Sequence, residues 1–291
     1  MELLVTLRKA QALEKILPYA DGIITGSHFT TGYHLSPEEI AEAVKYCRTK
    51  GKKVYIVMDN FISEDEKMLM YHYLEFIDSL EVDGLYFHDL GIYSAARSSH
   101  LSSKLIYDGK TVMCNSLDSG FLLDRGIDSI MIARELTLEE VREILKNHSG
   151  KIDMQIFGHL RMSYSKRRFL SNYFRQINKE YDYIGKESLS LIEEQREYRM
   201  PIVEDLNSTY IYTDYIFEMF NEIPDLSPDI RRGAVDTLFI EDENLICDVL
   251  RDYRRISREN CGFIRDSFIH NHPGCYSSGY LYQKTNISKN E

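Results

Sequence analysis

The sequence predicts an α/β protein built on a (β/α)8, TIM-barrel-like domain, and three features of its 291 residues support this prediction. Short apolar runs alternate with helix-like segments along the chain. The runs are apolar throughout instead of alternating with polar residues, which is typical of parallel strands buried on both faces. An Asp followed by a small or polar residue recurs where a helix is expected to give way to a strand, at Asp21, Asp83, Asp128 and Asp236.

A doubly wound parallel sheet is the structural alternative, because the same local pattern builds both folds. No G-x-G-x-x-G motif follows the first apolar run, which disfavours the dinucleotide-binding form of that alternative. Eight candidate strands, joined by a repeated type of connection, favour the barrel. In chain order they are residues 2–7, 22–27, 53–59, 84–89, 104–108, 129–134, 153–158 and 237–242.

Helix starts are marked by N-capping patterns. Ser36-Pro37-Glu38-Glu39 combines a Ser N-cap, a Pro at the first helical position and a Glu at the third. Thr137-Leu138-Glu139-Glu140 repeats the capping box. Residues 63–80 carry apolar side chains at mostly helical spacing, which predicts a helix between the third and fourth strands.

The interval 159–236 breaks this rhythm, since it is too long for a single crossover connection. It contains a basic segment, two β-like pieces at 198–205 and 208–214, and a short helical pattern. We interpret it as an insertion between the seventh and eighth strands, lying over one end of the barrel. The predicted domain is therefore residues 1–255, and residues 256–291 form a C-terminal extension whose aromatic residues favour packing on the barrel.

The composition excludes several classes of function. Lys and Arg number 35 against 46 Asp and Glu, a formal charge of −11, which disfavours wholesale non-specific nucleic-acid binding but not a local basic patch. No apolar run of about 18 residues is present, so no membrane span is expected. Five dispersed cysteines without a C-x-x-C motif indicate a reducing compartment and no zinc site. A cytoplasmic protein is expected.

Polar residues follow several of the predicted strands. In a barrel the carboxyl ends of all strands meet at one mouth, where functional groups of this fold are found. The alternative is that each such residue caps the next helix or closes a turn. The residues at these ends are Asp59, Asn60, His88, Asp89, Asp108, Arg134, Glu135, His159 and Glu241.

The segment 158–175, GHLRMSYSKRRFLSNYFR, is the strongest candidate for an anion or RNA site. It places five positive charges within 15 residues of an acidic protein, with two tyrosines interleaved. Guanidinium groups form bidentate hydrogen bonds with phosphate or carboxylate, and tyrosine rings stack on bases. The alternative is an exposed basic turn that offsets nearby acids. No H-E-x-x-H, G-x-S-x-G or catalytic-thiolate motif is present, and no metal site is predicted.

This segment resembles the signature of peptidase family U32, the collagenase-like proteins, whose typical form is G-A-L-C-x-S-Y-S-G-R-C-x-L-S-N-Y. Residues 129–144, 201–216 and 235–243 resemble family segments on either side, with Glu241 at the position of a family Glu. The resemblance covers most of residues 1–255 and implies a barrel-like core. The positions that match the signature are Gly158, Leu160, Ser163, Tyr164, Ser165, Arg167, Leu170, Ser171, Asn172 and Tyr173.

The resemblance implies hydroxylation more than proteolysis. Family members hydroxylate tRNA wobble uridine, ribosomal RNA cytidine or ubiquinone precursors, with prephenate-linked metabolism implicated in the RNA cases. Those members hold an iron–sulfur cluster on four cysteines. Here Arg161 and Arg168 replace the two signature cysteines, and no cysteine lies between Cys114 and Cys247. Because thiolates hold such clusters, no iron–sulfur cofactor is predicted. The chain resembles the cysteine-poor subtype that occurs beside a cysteine-bearing paralogue.

Three hypotheses follow from the resemblance. The favoured one is a role in tRNA wobble-uridine hydroxylation, with tRNA and a cysteine-bearing paralogous U32 protein as partners. The second is a peptidase, and the third is a non-catalytic subunit that binds RNA or stabilises its paralogue. The residues predicted to take part in catalysis are Glu135, His159, Tyr164, Arg167 and Glu241, and those predicted to bind an anion or RNA are Arg161, Lys166, Arg168, Asn172, Tyr173 and Arg175.

Overall fold

Eight parallel strands close into a barrel in the computed structural model, which describes residues 1–33, 35–192, 194, 198–205 and 208–283. Each strand pairs with the next in chain order, and the eighth pairs with both the seventh and the first. This closure confirms the predicted barrel and excludes the open, doubly wound sheet. The barrel strands are β1 (Glu2–Thr6), β2 (Gly22–Thr25), β3 (Lys53–Met58), β4 (Gly84–Phe87), β5 (Lys104–Asp108), β6 (Ser129–Met131), β7 (Ile152–Ser165) and β11 (Ile230–Val235).

Helices cover the outside of the barrel, and the predicted capping boxes start two of them. The Ser36 side chain accepts the backbone N–H of Glu39, and Thr137 does the same for Glu140. The helix predicted over 63–80 is a 3-10 turn followed by a regular helix. The α-helices are α1 (Leu13–Ile16), α2 (Pro37–Thr49), α3 (Lys67–Ser79), α4 (Leu90–Ser98), α5 (Ser116–Leu123), α6 (Leu138–Asn147), α7 (Phe169–Gln176), α8 (Ile223–Leu226), α9 (Glu243–Arg255) and α10 (Cys261–Asn271).

The position predicted for the eighth strand, residues 237–242, is wrong. The strand is Ile230–Val235, and residues 237–242 form the turn that precedes α9. Arg231 and Arg232 interrupt the apolar run of the true strand, which is why its pattern does not stand out. Asp236 therefore follows a strand and lies at the barrel mouth. Asp21 and Asp83 do precede strands, and their carboxylates accept the backbone N–H groups of Leu3 and Val54 on the neighbouring strands.

The predicted insertion between the seventh and eighth strands is an antiparallel sheet at the mouth. Strand β7 continues beyond the barrel to Ser165, and β10 (Thr209–Glu218) pairs antiparallel with this outer half. Strand β9 (Arg199–Glu204) pairs with β10, and β8 (Ser190–Ile192) pairs with β9. The C-terminal extension contains α10 and β12 (Tyr276–Ser277), which adds to β10, and its side chains Phe268 and Leu281 are buried.

Gly158 lies at the point where β7 leaves the barrel. Its φ is +112°, a conformation that favours glycine, and a Cβ there would collide with the backbone carbonyl of Asp236. The signature glycine is therefore required by the close approach of β7 and β11. This turn sends the following residues over the mouth instead of away from it.

The barrel interior is filled by side chains in its lower half. One apolar cluster, separate from the larger core between strands and helices, contains Leu4, Ile24, Tyr55, Val57, Tyr86, Ile106, Met131 and Ala234. Beside it the fully buried Arg232 bonds Asp153 at 3.0 Å and Ser129 at 2.7 Å. A packed floor of this kind leaves open space only above it, at the carboxyl ends of the strands. Among the described residues, no helix has the length and apolar character needed to cross a membrane.

Candidate functional site

A polar cavity of about 60 Å³ lies at the barrel mouth, enough for several water molecules or a small ligand group. Its floor is the upper surface of the barrel core, at Val57, Tyr86 and Met131. Its walls carry charged and polar side chains contributed by six different strands or the residues just after them. These wall residues are Arg8, Asp59, Asp108, Lys110, Arg134, Gln155, His159, Arg161 and Asp236.

Two carboxylates and three cations form one connected network in this cavity. Asp59 accepts hydrogen bonds from Arg161 at 2.5 Å and Lys110 at 3.0 Å. Lys110 also bonds Asp108 at 2.5 Å, and both terminal nitrogens of Arg134 bond Asp108 at 3.2 Å. These five side chains are at most 13% exposed. The network therefore links residues that follow β3, β5 and β6 to the outer half of β7.

The two aspartates are held in the charged state. Burial alone would raise the pKa of Asp59, but Lys110 and Arg161 outweigh it and hold that pKa well below its ordinary value. Burial is likewise outweighed at Asp108, where Arg134 and Lys110 hold the pKa well below its usual range. Both carboxylates are thus ionised at neutral pH and act as hydrogen-bond acceptors.

Lys110 is held in an unusual backbone conformation. Its φ is +57°, in the left-handed region that residues with a side chain seldom adopt. The carboxylate of Asp108 accepts both the backbone N–H of Lys110, at 3.1 Å, and its ammonium group. The bend after β5 therefore turns the ammonium group back into the mouth.

Gln155 and His159 continue the polar wall along β7. Gln155 accepts from Arg134 Nε at 2.7 Å and donates to the His159 carbonyl at 3.1 Å. His159 Nδ1 lies 2.7 Å from the Thr213 carbonyl and must donate to it, because a carbonyl only accepts. Burial lowers the pKa of His159, so the ring is neutral at pH 7. Its Nε2 is then an acceptor.

Arg161 is positioned by the antiparallel extension. Its register partner on β10 is Tyr212, and its guanidinium lies 4.6 Å from the centre of the Tyr210 ring. The Tyr210 hydroxyl in turn bonds Asn60. The two tyrosines thus hold the guanidinium against Asp59.

An open aromatic cleft of about 280 Å³ adjoins the mouth cavity and shares Asp59, Lys110 and Arg161 with it. We call it the aromatic cleft. Its walls are Phe61, His88 and Tyr164, whose rings are tilted towards one another. The Phe61 ring centre lies 4.6 Å from that of His88 and 5.3 Å from that of Tyr164. Burial lowers the pKa of His88, whose Nδ1 donates to the Asp108 carbonyl at 2.9 Å.

Five residues singled out from the sequence meet in the mouth cavity, namely Asp59, Asp108, Arg134, His159 and Arg161. Glu135 does not line it. Glu135 is exposed in the bend between β6 and α6, beyond the last residue of the strand. Glu241 is also exposed and lines a different cavity with Lys9 and Glu187. Its expected position at a strand end is wrong, because β11 ends six residues earlier.

The basic residues after Arg161 lie outside the mouth cavity. The exposed residues are Lys166, Arg167, Arg168, Asn172, Tyr173 and Arg175, whereas Tyr164 is partly buried in the aromatic cleft. The first turn of α7 is already bound by a buried carboxylate: Glu204 accepts the backbone N–H groups of Leu170 and Ser171. Arg168 lies 3.7 Å from the same Glu204. The start of this helix is therefore not a free anion site.

Four wall residues were missed by the sequence reasoning. Arg8 and Lys110 lie two residues after strands, so a wider window at each strand end would have included them. Asp236 follows the strand whose position was misplaced. Gln155 is a polar residue within the buried part of β7, and its polarity in a strand predicted to be buried on both faces is the signal that could have found it.

The signature positions do not fit an iron–sulfur cluster. Arg161 is bonded to Asp59, and the side chain of Arg168 is 46% exposed beside Glu204. Arginine supplies no thiolate, so these two positions offer no cluster ligand. Within the described part of the chain, no group of three or more His, Cys, Asp or Glu side chains is arranged to hold a metal ion.

Comparison with known proteins places these features in a family context. The model of peptidase family U32 matches residues 29–242. The chain is 29% identical to tRNA hydroxylation protein P2 of Bacillus subtilis over 223 residues, 75% of this chain and 72% of that protein. It is 29% identical over 177 residues to the 23S rRNA 5-hydroxycytidine synthase of Escherichia coli, 59% of this chain but 26% of the synthase.

A solved structure of a U32 peptidase has the same fold. It superimposes with a TM-score of 0.52 and 15% identity, covering 81% of this chain and 92% of that one. At this level of identity the likeness bears on the barrel architecture alone.

Proposed function

This chain belongs to peptidase family U32, as its signature segment predicted, and on that premise we propose that it acts in the hydroxylation of tRNA wobble uridine to 5-hydroxyuridine. The supporting observation is its likeness, over three quarters of its length, to a protein named for tRNA hydroxylation. A second Bacillus subtilis protein, tRNA hydroxylation protein P1, is 26% identical over 47% of this chain. Two such relatives in one organism support a paralogous partner for this protein as well.

The mouth cavity suits binding of a negatively charged or carbonyl-rich group. Four cations line it, Arg8, Lys110, Arg134 and Arg161, against the three carboxylates of Asp59, Asp108 and Asp236. In a buried setting, N–H donors on cations form strong hydrogen bonds with carboxylate and phosphate oxygens. A small carboxylate co-substrate or a base carbonyl is the chemistry that this cavity would accept. The neutral His159, with Nε2 as an acceptor, is the group placed to take up a proton there.

The exposed basic residues serve the polynucleotide in this proposal. Lys166 and Arg167 follow Tyr164 at the end of β7, next to the mouth. Exposed cations contribute sequence-independent affinity for phosphates, which positions an RNA over a base-binding site. Asn172, Tyr173 and Arg175 on α7 would extend this contact. Glu135 and Glu241 lie outside the mouth cavity, so we assign them no contact with a group bound inside it.

Nucleoside analysis of total tRNA from a strain lacking the gene tests the proposal. Nucleosides derived from 5-hydroxyuridine are expected to fall, and to return when the gene is restored. Unchanged amounts in the deletion strain would refute the proposed function.

One variant separates a working site from a scaffold role. Arg167→Ala is expected to lower tRNA modification while leaving binding to the paralogue intact. The matched control is Arg142→Ala, which removes an exposed arginine on α6 and should leave both unchanged. Loss of paralogue binding in Arg167→Ala, or no change in modification, would favour the non-catalytic subunit instead.

Peptidase activity is the second candidate, favoured by 30% identity over 141 residues to an uncharacterized protease of Methanocaldococcus jannaschii. That match covers 47% of this chain and 34% of the protease. Cleavage of peptides by the pure protein, lost in His159→Gln with folding intact, would establish it.

A further inference from the structure

The aromatic cleft has the features of a site for a planar ring. Three rings line it, and tilts of 52° and 66° between Phe61 and its two neighbours keep their faces from stacking on one another. Phe61 is 41% exposed although it is large and apolar. Exposed aromatic faces in a concavity are suited to stacking on a nucleobase. The cleft volume of about 280 Å³ is close to the lower bound of about 300 Å³ for small-molecule sites.

The inner end of the cleft offers hydrogen-bond donors. Lys110 and Arg161 line both the cleft and the mouth cavity. Each uses part of its donors on Asp59 or Asp108, and an ammonium has three N–H groups and a guanidinium five. The Asp59 carboxylate is already bound by Thr30, Lys110 and Arg161. Lys110 and Arg161 therefore keep N–H donors for a ligand at this end.

From these observations we propose that the aromatic cleft binds an unpaired uracil base, stacked on Phe61, with its carbonyl oxygens directed to Lys110 and Arg161. This inference rests on the proposed function and names the part of the RNA that the site holds. Uracil presents two carbonyl oxygens, O2 and O4, on either side of N3–H on its pairing edge. Cytosine keeps O2 and has an acceptor at N3, but it carries an amino group in place of O4, and an amino group facing a cation leaves its N–H without an acceptor. The cleft therefore selects uracil over cytosine.

The position of the cleft fits a base that has left its stack. Tyr164 forms one wall and is followed within three residues by the exposed Lys166 and Arg167. A nucleotide with its base in the cleft would place its phosphate near these cations. Proteins that act on single bases hold them outside the stack between aromatic side chains.

Binding of two hairpin RNAs tests the proposal. The RNAs are an anticodon stem–loop with uridine at the wobble position and the same stem–loop with cytidine there. Wild-type protein is expected to bind the uridine form about 10-fold more tightly. Phe61→Ala should weaken binding of the uridine form by about 10-fold or more, because one base–aromatic stack is lost. Phe61→Tyr, which keeps the ring, should retain wild-type affinity.

Phe263→Ala is the matched control, since Phe263 on α10 is 78% exposed and lies outside the cleft. Equal affinity of Phe61→Ala and Phe263→Ala for the uridine form would overturn the stacking assignment. Equal binding of the two RNAs by the wild type would overturn the selection of uracil. Since Phe61 is 41% exposed and lies outside the buried core clusters, thermal unfolding should show both variants folded, which makes loss of binding specific to the cleft.

The outcome for the cleft is separable from the outcome for the proposed function. If a strain lacking the gene shows unchanged tRNA nucleosides while the purified protein still prefers the uridine stem–loop, the function fails and the cleft stands. If Phe61→Ala restores the nucleosides of that strain as fully as the wild type does, the cleft assignment fails and the function stands.

Discussion

Replacement of Arg161 by Met is expected to destabilise the protein by about 2–4 kcal/mol. The side chain of Arg161 is 12% exposed, bonds the 5% exposed Asp59 at 2.5 Å, and lies over the Tyr210 ring. Breaking a buried ion pair from one side costs about 3–5 kcal/mol, because the remaining charge loses its partner. Here Lys110 at 3.0 Å and Thr30 at 2.9 Å still bond Asp59, which reduces that cost.

Urea unfolding at neutral pH measures this loss, and the second signature arginine supplies a matched control. The side chain of Arg168 is 46% exposed and lies 3.7 Å from Glu204, so Arg168→Met should cost less than about 1 kcal/mol. Glu204 retains the helix N–H groups and Thr209 as donors.

A double-mutant cycle identifies the source of the effect. In an Asp59→Asn background, removal of Arg161 leaves no unpaired charge at position 59. The loss of stability caused by Arg161→Met should therefore be smaller by about 0.5–3 kcal/mol than in the wild type. A cost for Arg161→Met within about 0.5 kcal/mol of that for Arg168→Met would refute the view that Arg161 belongs to a buried network.

Three further outcomes follow from buried charges. Glu204→Ala should lower the free energy of unfolding in urea by about 1–3 kcal/mol, because the N–H groups at the start of α7 lose their acceptor. Faster proteolysis of residues 169–176 should accompany this loss. Unchanged stability would contradict the capping role. Asp59 and Asp108 have lowered pKa values in the folded protein, so the stability that they contribute is present above the ordinary pKa of 3.8 and is lost as the pH falls towards the folded pKa values. An acid titration monitored by circular dichroism should therefore show that Asp59→Asn is less sensitive to acid than the wild type. Arg232→Met should cost about 3–5 kcal/mol in urea because the buried Asp153 loses its ion-pair partner in the barrel interior, and a cost below about 1 kcal/mol would contradict the assignment.

Local patterns predicted most of the fold. Seven of the eight barrel strands coincide with continuous apolar runs, because a strand covered on both faces must be apolar along its length. The capping residues Ser36 and Thr137 accept backbone N–H groups within their own helix turn, so a motif of four consecutive residues is enough to predict their role. The eighth strand escaped detection because Arg231 and Arg232 find partners in Asp128 and Asp153, which lie far away in the sequence.

The candidate site was predicted in part. Its place at the strand ends and the presence of Arg161 in it followed from fold and motif. Which of two adjacent residues enters the mouth depends on the path of the backbone after the strand ends, and this separates Arg134 from Glu135. The role of Lys110 depends on a backbone bend that its neighbours impose.

The alternation of strands and helices, the caps and the family could be predicted before any fold was known, since each depends on neighbouring residues or on a short motif. The contact of Arg161 with Asp59, 102 residues away, and the shared cleft of Phe61, His88 and Tyr164 emerge only from the folded chain. Barrel closure and the antiparallel return of β10 bring these residues together. Such contacts depend on how strands pair and on where β7 bends at Gly158, and strand pairing is not encoded by any single stretch of the chain.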